Sequence, residues 1–293
     1  MRLALGVAYD GTGFHGFAAQ PGQVTVAGAL LDALDQVGSG RPRLTCAGRT
    51  DAGVHALAQV VHLDCDASWL AAWVGRARTR EPGDAPPPAG TSLVRLAEAL
   101  SSMCGPAVTV WRVAVAPPGF DARRSATSRR YRYDLELGEH ADPLARSRTW
   151  HVGTDLDLSV LRLATDPVLG EHDFAAFCRR PPDRPEGPLV RRVTDARWVA
   201  VEPGHLRFEI EAAAFCHQMV RSIVGALVAA GSGRIRPSDV VALLRSGSRA
   251  GAPTLAPAHG LCLVAVGYPD ALGGRWEWPV AGSGQLARPG SIA

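Results

Sequence analysis

The sequence predicts an α+β protein built from two mixed α/β halves packed side by side, with a groove where they meet. Three observations predict it. A chain of 293 residues with 46% hydrophobic content is long enough for two average domains, or one large one, and can fill substantial cores. Short apolar strand patterns alternate along it with stretches whose apolar residues recur every three or four positions. The second half then repeats the grammar of the first.

Taken in order, residues 3–9 read as a strand, followed by a turn at Asp10-Gly11-Thr12-Gly13. Thr25 is placed to cap a helix whose Val26, Ala29, Leu30, Ala33, Leu34 and Val37 share one face, ending at Gly38. Strands at 43–47 and 59–63 flank a loop at 48–55. The Pro-, Gly- and Arg-rich segment 75–91, centred on Pro86-Pro87-Pro88, reads as a flexible excursion. A short helix at 93–101 and a strand at 108–115 close the N-terminal half, 1–122.

In the C-terminal half, 123–270, residues 131–137, 191–201 and 206–212 alternate as strands. Residues 217–230 carry apolar side chains at helical spacing and stop at Gly231. Ser238 is expected to cap another helix, and 261–268 is the last strand. The tail, 271–293, shows no periodicity and is expected to be loosely ordered.

Composition narrows the chemistry. Lys+Arg 31 against Asp+Glu 28 leaves a net charge of only +3, so any nucleic-acid contact must come from local clusters. The chain holds no lysine, which excludes Schiff-base lysine chemistry and a Walker lysine and leaves phosphate contacts to the planar guanidinium fork. The six cysteines are scattered without metal-ligand spacing, and reduced, mostly buried thiols are expected. Polar residues come too early in the first ten positions for a signal peptide. The longest uncharged apolar stretch, 222–233, is too short to cross a bilayer. A soluble, cytoplasmic protein without a membrane partner is the expectation.

The densest functional signal is Arg49-Thr50-Asp51-Ala52-Gly53. A carboxylate on a Gly-flanked loop between strands is rigidly held yet can face a substrate, and Arg49 could grip a phosphate or orient Asp51. The bland alternative is a connecting turn in which Asp51 bonds its own backbone. A metal site from Asp51, His55, His62 and Asp64 is disfavoured, because strand alternation puts 62 and 64 on one face without bringing 51 and 55 beside them.

The stretch Cys46-Ala47-Gly48-Arg49-Thr50-Asp51-Ala52-Gly53-Val54-His55-Ala56 closely resembles the signature of the tRNA pseudouridine synthase A family. The resemblance recurs in the same order at Tyr9-Asp10-Gly11 with Phe14-His15-Gly16-Phe17, at Gln59-Val60-Val61-His62, and at Phe120-Asp121-Ala122-Arg123. It continues through Arg129-Arg130-Tyr131-Arg132-Tyr133, Gly170-Glu171-His172-Asp173-Phe174, Phe215-Cys216-His217-Gln218-Met219-Val220-Arg221 and Leu261-Cys262-Leu263-Val264, so that it covers the chain to about residue 270. It implies RRM-like halves forming a continuous, mostly antiparallel sheet with helices on one side and a central active-site cleft. It also implies a homodimer without metal or organic cofactor. The implied activity converts uridine to pseudouridine on the 3′ side of the tRNA anticodon stem-loop. Asp51 matches the family's catalytic aspartate, Tyr131 its active-site tyrosine, and Arg221 the basic residue that pairs with the aspartate. Leu263 matches the apolar strand lining the pocket, and Arg49 is implied to help hold the flipped nucleotide. The sequence departs from the family at Ala18-Ala19-Gln20, at Ala99-Leu100-Ser101 and in the insertion before the short helix. All three lie around the implied RNA path rather than at the Asp51 loop.

The residue types suit this chemistry. Isomerisation breaks the C1′–N1 bond, turns the base and rejoins it through C5, with no redox change. The loop offers one carboxylate, whereas a glycosidase brings two and a water to the bond. Arg221 lies at the edge of an apolar helix face, where a guanidinium needs an anion, and Asp51 is the expected partner. The alternative is a snorkelling arginine on a core helix. On a strand, Tyr131 and Tyr133 share one face while Arg130 and Arg132 point away, towards phosphates or acidic neighbours. Arg123, Arg124, Arg129, Arg130 and Arg132 form the best phosphate-binding stretch. Arg179, Arg180, Arg184, Arg191 and Arg192 form a second one, diluted by Asp183 and Glu186. His217 reads equally as a partner of the helix start or as a substrate contact, and Asp10 as support for its turn or for a loop of a second subunit. The rival readings are a diverged synthase acting on another RNA or a free uridine nucleotide, and a tRNA-binding module without catalysis.

Overall fold

The computed structural model describes residues 1–38, 41–66, 68–69, 73, 89–180 and 187–279. The expected excursion at 75–91 lies outside these residues until a helix opens at Ala89, and Arg184 lies outside them too. The chain divides into two compact units. One comprises residues 1–50, 56–127 and 264–293; the other comprises 51–55 and 128–263. Both are mixed α/β.

The first unit contains β1 (Arg2–Tyr9), α1 (Val26–Val37), β2 (Leu44–Cys46), nearly all of β3 (His55–Asp64), α2 (Ala89–Cys104) and β4 (Val108–Val115). β1 pairs antiparallel with both β3 and β4, and β2 adds to β3. Strand β1 is buried from Leu3 to Tyr9, which explains its near-continuous apolar run: an interior strand needs apolar residues on both faces. Thr25 Oγ1 accepts from Gly28 N at 3.1 Å, so the expected cap of α1 is present. That helix buries Leu30, Leu34 and Val37, while α2 buries Leu96 and Leu100. Each such side chain contributes about 1.5–3 kcal/mol. Gly38 ends α1 for a packing reason, since a Cβ there would run into the Trp69 ring.

The second unit contains β5 (Ser128–Leu137), β6 (Trp150–Val152), α3 (Leu158–Thr165), β7 (Gly170–Asp173), β8 (Val190–Glu202), β9 (His205–Ala212), α4 (Met219–Gly231) and α5 (Pro237–Ser246). β5, β9, β8 and β7 are antiparallel neighbours in that order, and β6 runs parallel to β5. The last long strand, β10 (Leu261–Gly267), begins in this unit and ends in the first. There it pairs with β11 (Arg275–Glu277), which corrects the expected looseness over residues 271–279; the rest of that tail, 280–293, lies outside the described residues. Trp276 is buried against Trp111 at a centroid distance of 5.8 Å, and the Arg112 guanidinium lies 4.4 Å above its ring.

Three other expectations change. Helix α4 begins at Met219, because Gln218 adopts the left-handed conformation (φ 66°) and takes residues 217 and 218 out of the helix. Helix α5 is opened not by Ser238 but by Pro237, with the Asp239 carboxylate accepting from Arg236 N at 2.8 Å. Cys178 and Cys216 are joined by a disulfide with Cα atoms 5.7 Å apart, overturning the expectation of six reduced thiols. Sequence spacing hid that pair. Arg179 N donates to His217 O at 2.9 Å, and this contact between two distant segments brings the preceding cysteines together. Among the remaining four, only Cys262 is buried. No helix among the described residues is long and apolar enough to cross a membrane.

Candidate active site

The loop carrying Asp51 is fixed residue by residue. On its approach, Gln59 is buried and donates to Gly48 O at 2.6 Å, while Thr50 Oγ1 meets the Tyr9 hydroxyl at 2.8 Å and Thr50 O accepts from Phe17 N at 3.1 Å. Arg49, between them, is exposed. Beyond Asp51 the chain turns tightly, with Val54 N donating to Asp51 O at 3.2 Å. Gly53 is favoured by its φ of 76°, and a Cβ there would press on that of Ala258 at 3.2 Å. His55 Nε2 lies 2.9 Å from Ser147 O, a contact within the second unit that holds the end of the turn.

Asp51 meets two basic side chains. Arg221 Nη1 donates to its Oδ2 at 3.1 Å, and His217 Nε2 lies 3.3 Å from its Oδ1. The Arg221 side chain is 14% exposed and that of Asp51 22%, so the ion pair is substantially withdrawn from water. Helix α4 supplies Arg221 from the edge of its apolar face, with Val224 and Val228 buried beside it. Its guanidinium is held a second time, by Nε donating to Ala256 O at 2.8 Å, and Ala256 N returns a bond to Arg221 O at 3.2 Å. The same loop is pinned by the Tyr133 hydroxyl donating to Pro257 O at 2.8 Å. A snorkelling arginine would reach water; this one is locked between a carboxylate and a carbonyl.

Burial dominates the electrostatics around the pair. It pushes the Tyr133 hydroxyl pKa well above the usual phenolic range. Burial also lowers that of His259, with the His55 and Arg221 charges adding to the effect against a backbone bond to Thr149. Neutral forms are therefore favoured on both groups beside Arg221.

Tyr131 is buried on β5, its ring edge-to-face with Phe215 at 5.2 Å, and Leu263 on β10 is fully buried. The outward residues of β5 found acidic neighbours. Arg130 Nε donates to Glu211 at 2.7 Å and Nη2 lies 3.5 Å from Asp195; Arg132 Nε lies 3.2 Å from Asp134. Arg129 is buried and donates to Ala213 O. Arg123, Arg124 and Arg179 are exposed, and Arg180 is half-buried with Nη1 donating to Gly187 O at 2.6 Å. Asp10 supports its own turn, accepting from Thr12 N and Oγ1. His62 and Asp64 are engaged elsewhere, by Ala122 N and Arg2 respectively.

Sequence reasoning did not assign His217 to Asp51 and passed over residues 256–260. The Ala-Pro-Ala-His-Gly run before β10 was the available signal for that loop.

One carboxylate, anchored by a guanidinium and flanked by an imidazole, can act as a nucleophile or take up a proton. The comparisons give this chemistry a class. Residues 164–269 match a family model described as tRNA pseudouridine synthase, which sets the chain among the pseudouridine synthases. Relatives called tRNA pseudouridine synthase A extend the likeness over the rest. That of Frankia casuarinae is 44% identical over 92% of this chain and 90% of its own, and that of Leifsonia xyli is 41% identical over 94% of each. The one from Mycobacterium leprae is 40% identical over 92% of this chain and 90% of its own. The chain belongs to the tRNA pseudouridine synthase A family. A solved Cbf5-Nop10-Gar1 complex aligns with a TM-score of 0.36 and 14% identity, over 89% of this chain and 49% of that one.

Proposed function

We propose that this isomerase converts uridine to pseudouridine in tRNA, on the 3′ side of the anticodon stem-loop, as a cytoplasmic homodimer. The observation that carries the reading is the Asp51–Arg221 pair, a lone carboxylate fixed by a guanidinium on a rigid loop, in a chain 44% identical to a tRNA pseudouridine synthase A. The C1′–N1 bond breaks, the base rotates, and a C1′–C5 bond forms. The proton at C5 is lost and N1 gains one, so no atoms are added or removed overall. Asp51 supplies the carboxylate, either as a nucleophile or as the acceptor of a proton. Arg221 anchors it through Oδ2. Tyr131 and Leu263 form apolar walls for an extruded base, which limits water at the broken bond. Arg49 is the exposed cation nearest in sequence to Asp51, suited to a phosphate of the flipped nucleotide.

The test is a turnover assay on an unmodified tRNA transcript tritiated at uridine C5, run beside tritiated uridine monophosphate and an unrelated RNA. Tritium release with pseudouridine mapped to the anticodon arm is expected, and its abolition by Asp51→Asn. Product from the mononucleotide or the other RNA alone would overturn the tRNA assignment. Binding without product would overturn catalysis.

A further inference from the structure

We infer that His217 is a positioning residue for Asp51, setting the rotation of the carboxylate that Arg221 alone leaves free. The inference rests on the pseudouridine synthase reading and adds to it a residue that acts through the catalytic carboxylate.

The two basic groups take different oxygens. Arg221 Nη1 reaches Oδ2 at 3.1 Å and His217 Nε2 approaches Oδ1 at 3.3 Å. A single contact leaves a carboxylate able to swing about its Cβ–Cγ bond; two contacts on separate oxygens define its plane. The groups also differ in setting. The Arg221 side chain is 14% exposed and tied to Ala256 O, whereas that of His217 is 48% exposed. Arg221 is the fixed anchor, and His217 bounds the carboxylate from the side that water reaches.

The backbone behind His217 is held on several sides. Cys216, just before it, is bridged to Cys178, and the carbonyl of His217 accepts from Arg179 N at 2.9 Å. Gln218, just after it, is the one non-glycine residue with positive φ among the described residues, and its carbonyl accepts from Ser222 N at 2.9 Å. A left-handed glutamine persists only where its surroundings over-determine it, and such residues cluster at functional sites. Here the conformation starts α4 at Met219, two residues later than the expected span, and turns residue 217 out of the helix, towards Asp51. As a mere partner of the helix start, His217 would need to accept from a free backbone N–H; its Nε2 instead lies 3.3 Å from Asp51 Oδ1.

The experiment compares His217→Ala and His217→Gln with the wild type in single-turnover pseudouridine formation, with tRNA dissociation constants and melting curves measured alongside. Glutamine offers an amide N–H at about the reach of the imidazole Nε2; alanine offers none. The alanine variant should lose on the order of 10²-fold in the bound-state rate, the scale expected when a reacting group is misplaced by about 1 Å. The glutamine variant should regain most of it, and tRNA affinity should be unchanged in both. Because half of the side chain faces solvent, melting curves should match the wild type. An alanine variant turning over at the wild-type rate would overturn the inference. So would equal losses in both variants, or a loss confined to tRNA affinity, which would make His217 a substrate contact. A wild-type protein inert on tRNA would instead sink the functional reading beneath it.

Discussion

Arg221 is one side chain with two obligations, to Asp51 and to the Ala256 carbonyl. Replacing it with leucine removes both at once. Asp51 then sits partly buried without its guanidinium, and Ala256 O loses a charged donor, at a cost of about 1–3 kcal/mol for the unsatisfied acceptor. Turnover in Arg221→Leu should fall below detection in a single-turnover assay while most of the tRNA affinity remains, since the exposed arginines are untouched. A lysine should not rescue it, because a single ammonium cannot reproduce the two-armed fork that serves carbonyl and carboxylate together. Unchanged single-turnover rates in the leucine variant would remove Arg221 from the site. At this scale the sequence was informative about Asp51 and Arg221, since a Gly-flanked carboxylate and a cation at the edge of an apolar face are local patterns. It read His217 as a partner of the helix start or a substrate contact and did not pair it with Asp51. The apolar spacing that marks α4 starts only at Met219, and nothing in it reveals that Gln218 is left-handed.

Among elements, α4 and the 252–258 loop act together. Gly225 lies where the Thr254 carbonyl approaches the helix so closely that a Cβ would strike its oxygen. Gly225→Ala would push that loop away, and the loop carries Ala256 O, one of the two holders of Arg221. Overpacking of this kind costs about 1–3 kcal/mol, so the denaturation midpoint should fall with an unchanged m-value, and turnover should fall with it. A variant as stable and active as the wild type would show the loop to be independent of the site. Most long elements were legible because their period was clear: β1, α1, β4, β8, β9 and β10 lie where the pattern put them. β6, α3 and β7 went unread. The two strands span only three and four residues, too few for alternation to be visible, and α3 is an eight-residue helix. The Cys178–Cys216 bridge was invisible for a different reason, being a consequence of tertiary contact across 38 residues of chain.

His62 gives the first unit a pH dependence of its own. It is buried on β3, and its Nδ1 accepts from Ala122 N, so the neutral ring is the form that fits. Burial, with Arg2 adding to it, lowers its pKa from the ordinary 6.5. The unfolded chain therefore takes up the proton first as pH falls. Stability is complete above the unfolded value and is lost as pH drops from about 6.5 towards the depressed folded pKa. His259 in the second unit has the same sign, with burial again the main cause. Melting temperatures should accordingly decline between about pH 7 and about pH 5, before most carboxylates protonate. His62→Asn, whose amide oxygen can accept from Ala122 N without titrating, should flatten part of that decline. An identical slope in the variant would show that His62 does not contribute.

For the molecule as a whole, the question is which arginines remain for RNA when the net charge is only +3. The sequence offered five arginines from 123 to 132 with no intervening acid, but strand register divides them. Arg130 stands opposite Glu211 and Arg132 opposite Glu209 across the β5–β9 ladder, and the charges interleave there with Asp134, Asp195, Arg197 and Arg207. Opposite charges facing across strands stabilise the sheet modestly, by about 0.2–1 kcal/mol per pair, and they offset the field that a phosphate would feel. Arg123 and Arg124, on an exposed turn whose backbone N–H groups are gathered by Asp121 Oδ1, carry side chains that reach solvent. Their exposure makes these two, rather than the β5 arginines, the pair to test as phosphate ligands. If each neutralises one phosphate, the double substitution Arg123→Gln with Arg124→Gln should reduce the slope of log Kd against log salt by about 1.4–1.8. Arg130→Gln should leave the slope nearly unchanged and register instead as a small loss of stability. Titrations of tRNA binding over a range of salt concentrations decide it: an equal fall in slope for both variants would mean that the β5 ladder opens to meet the RNA, and a flat slope in the wild type would mean that neither arginine set binds phosphate.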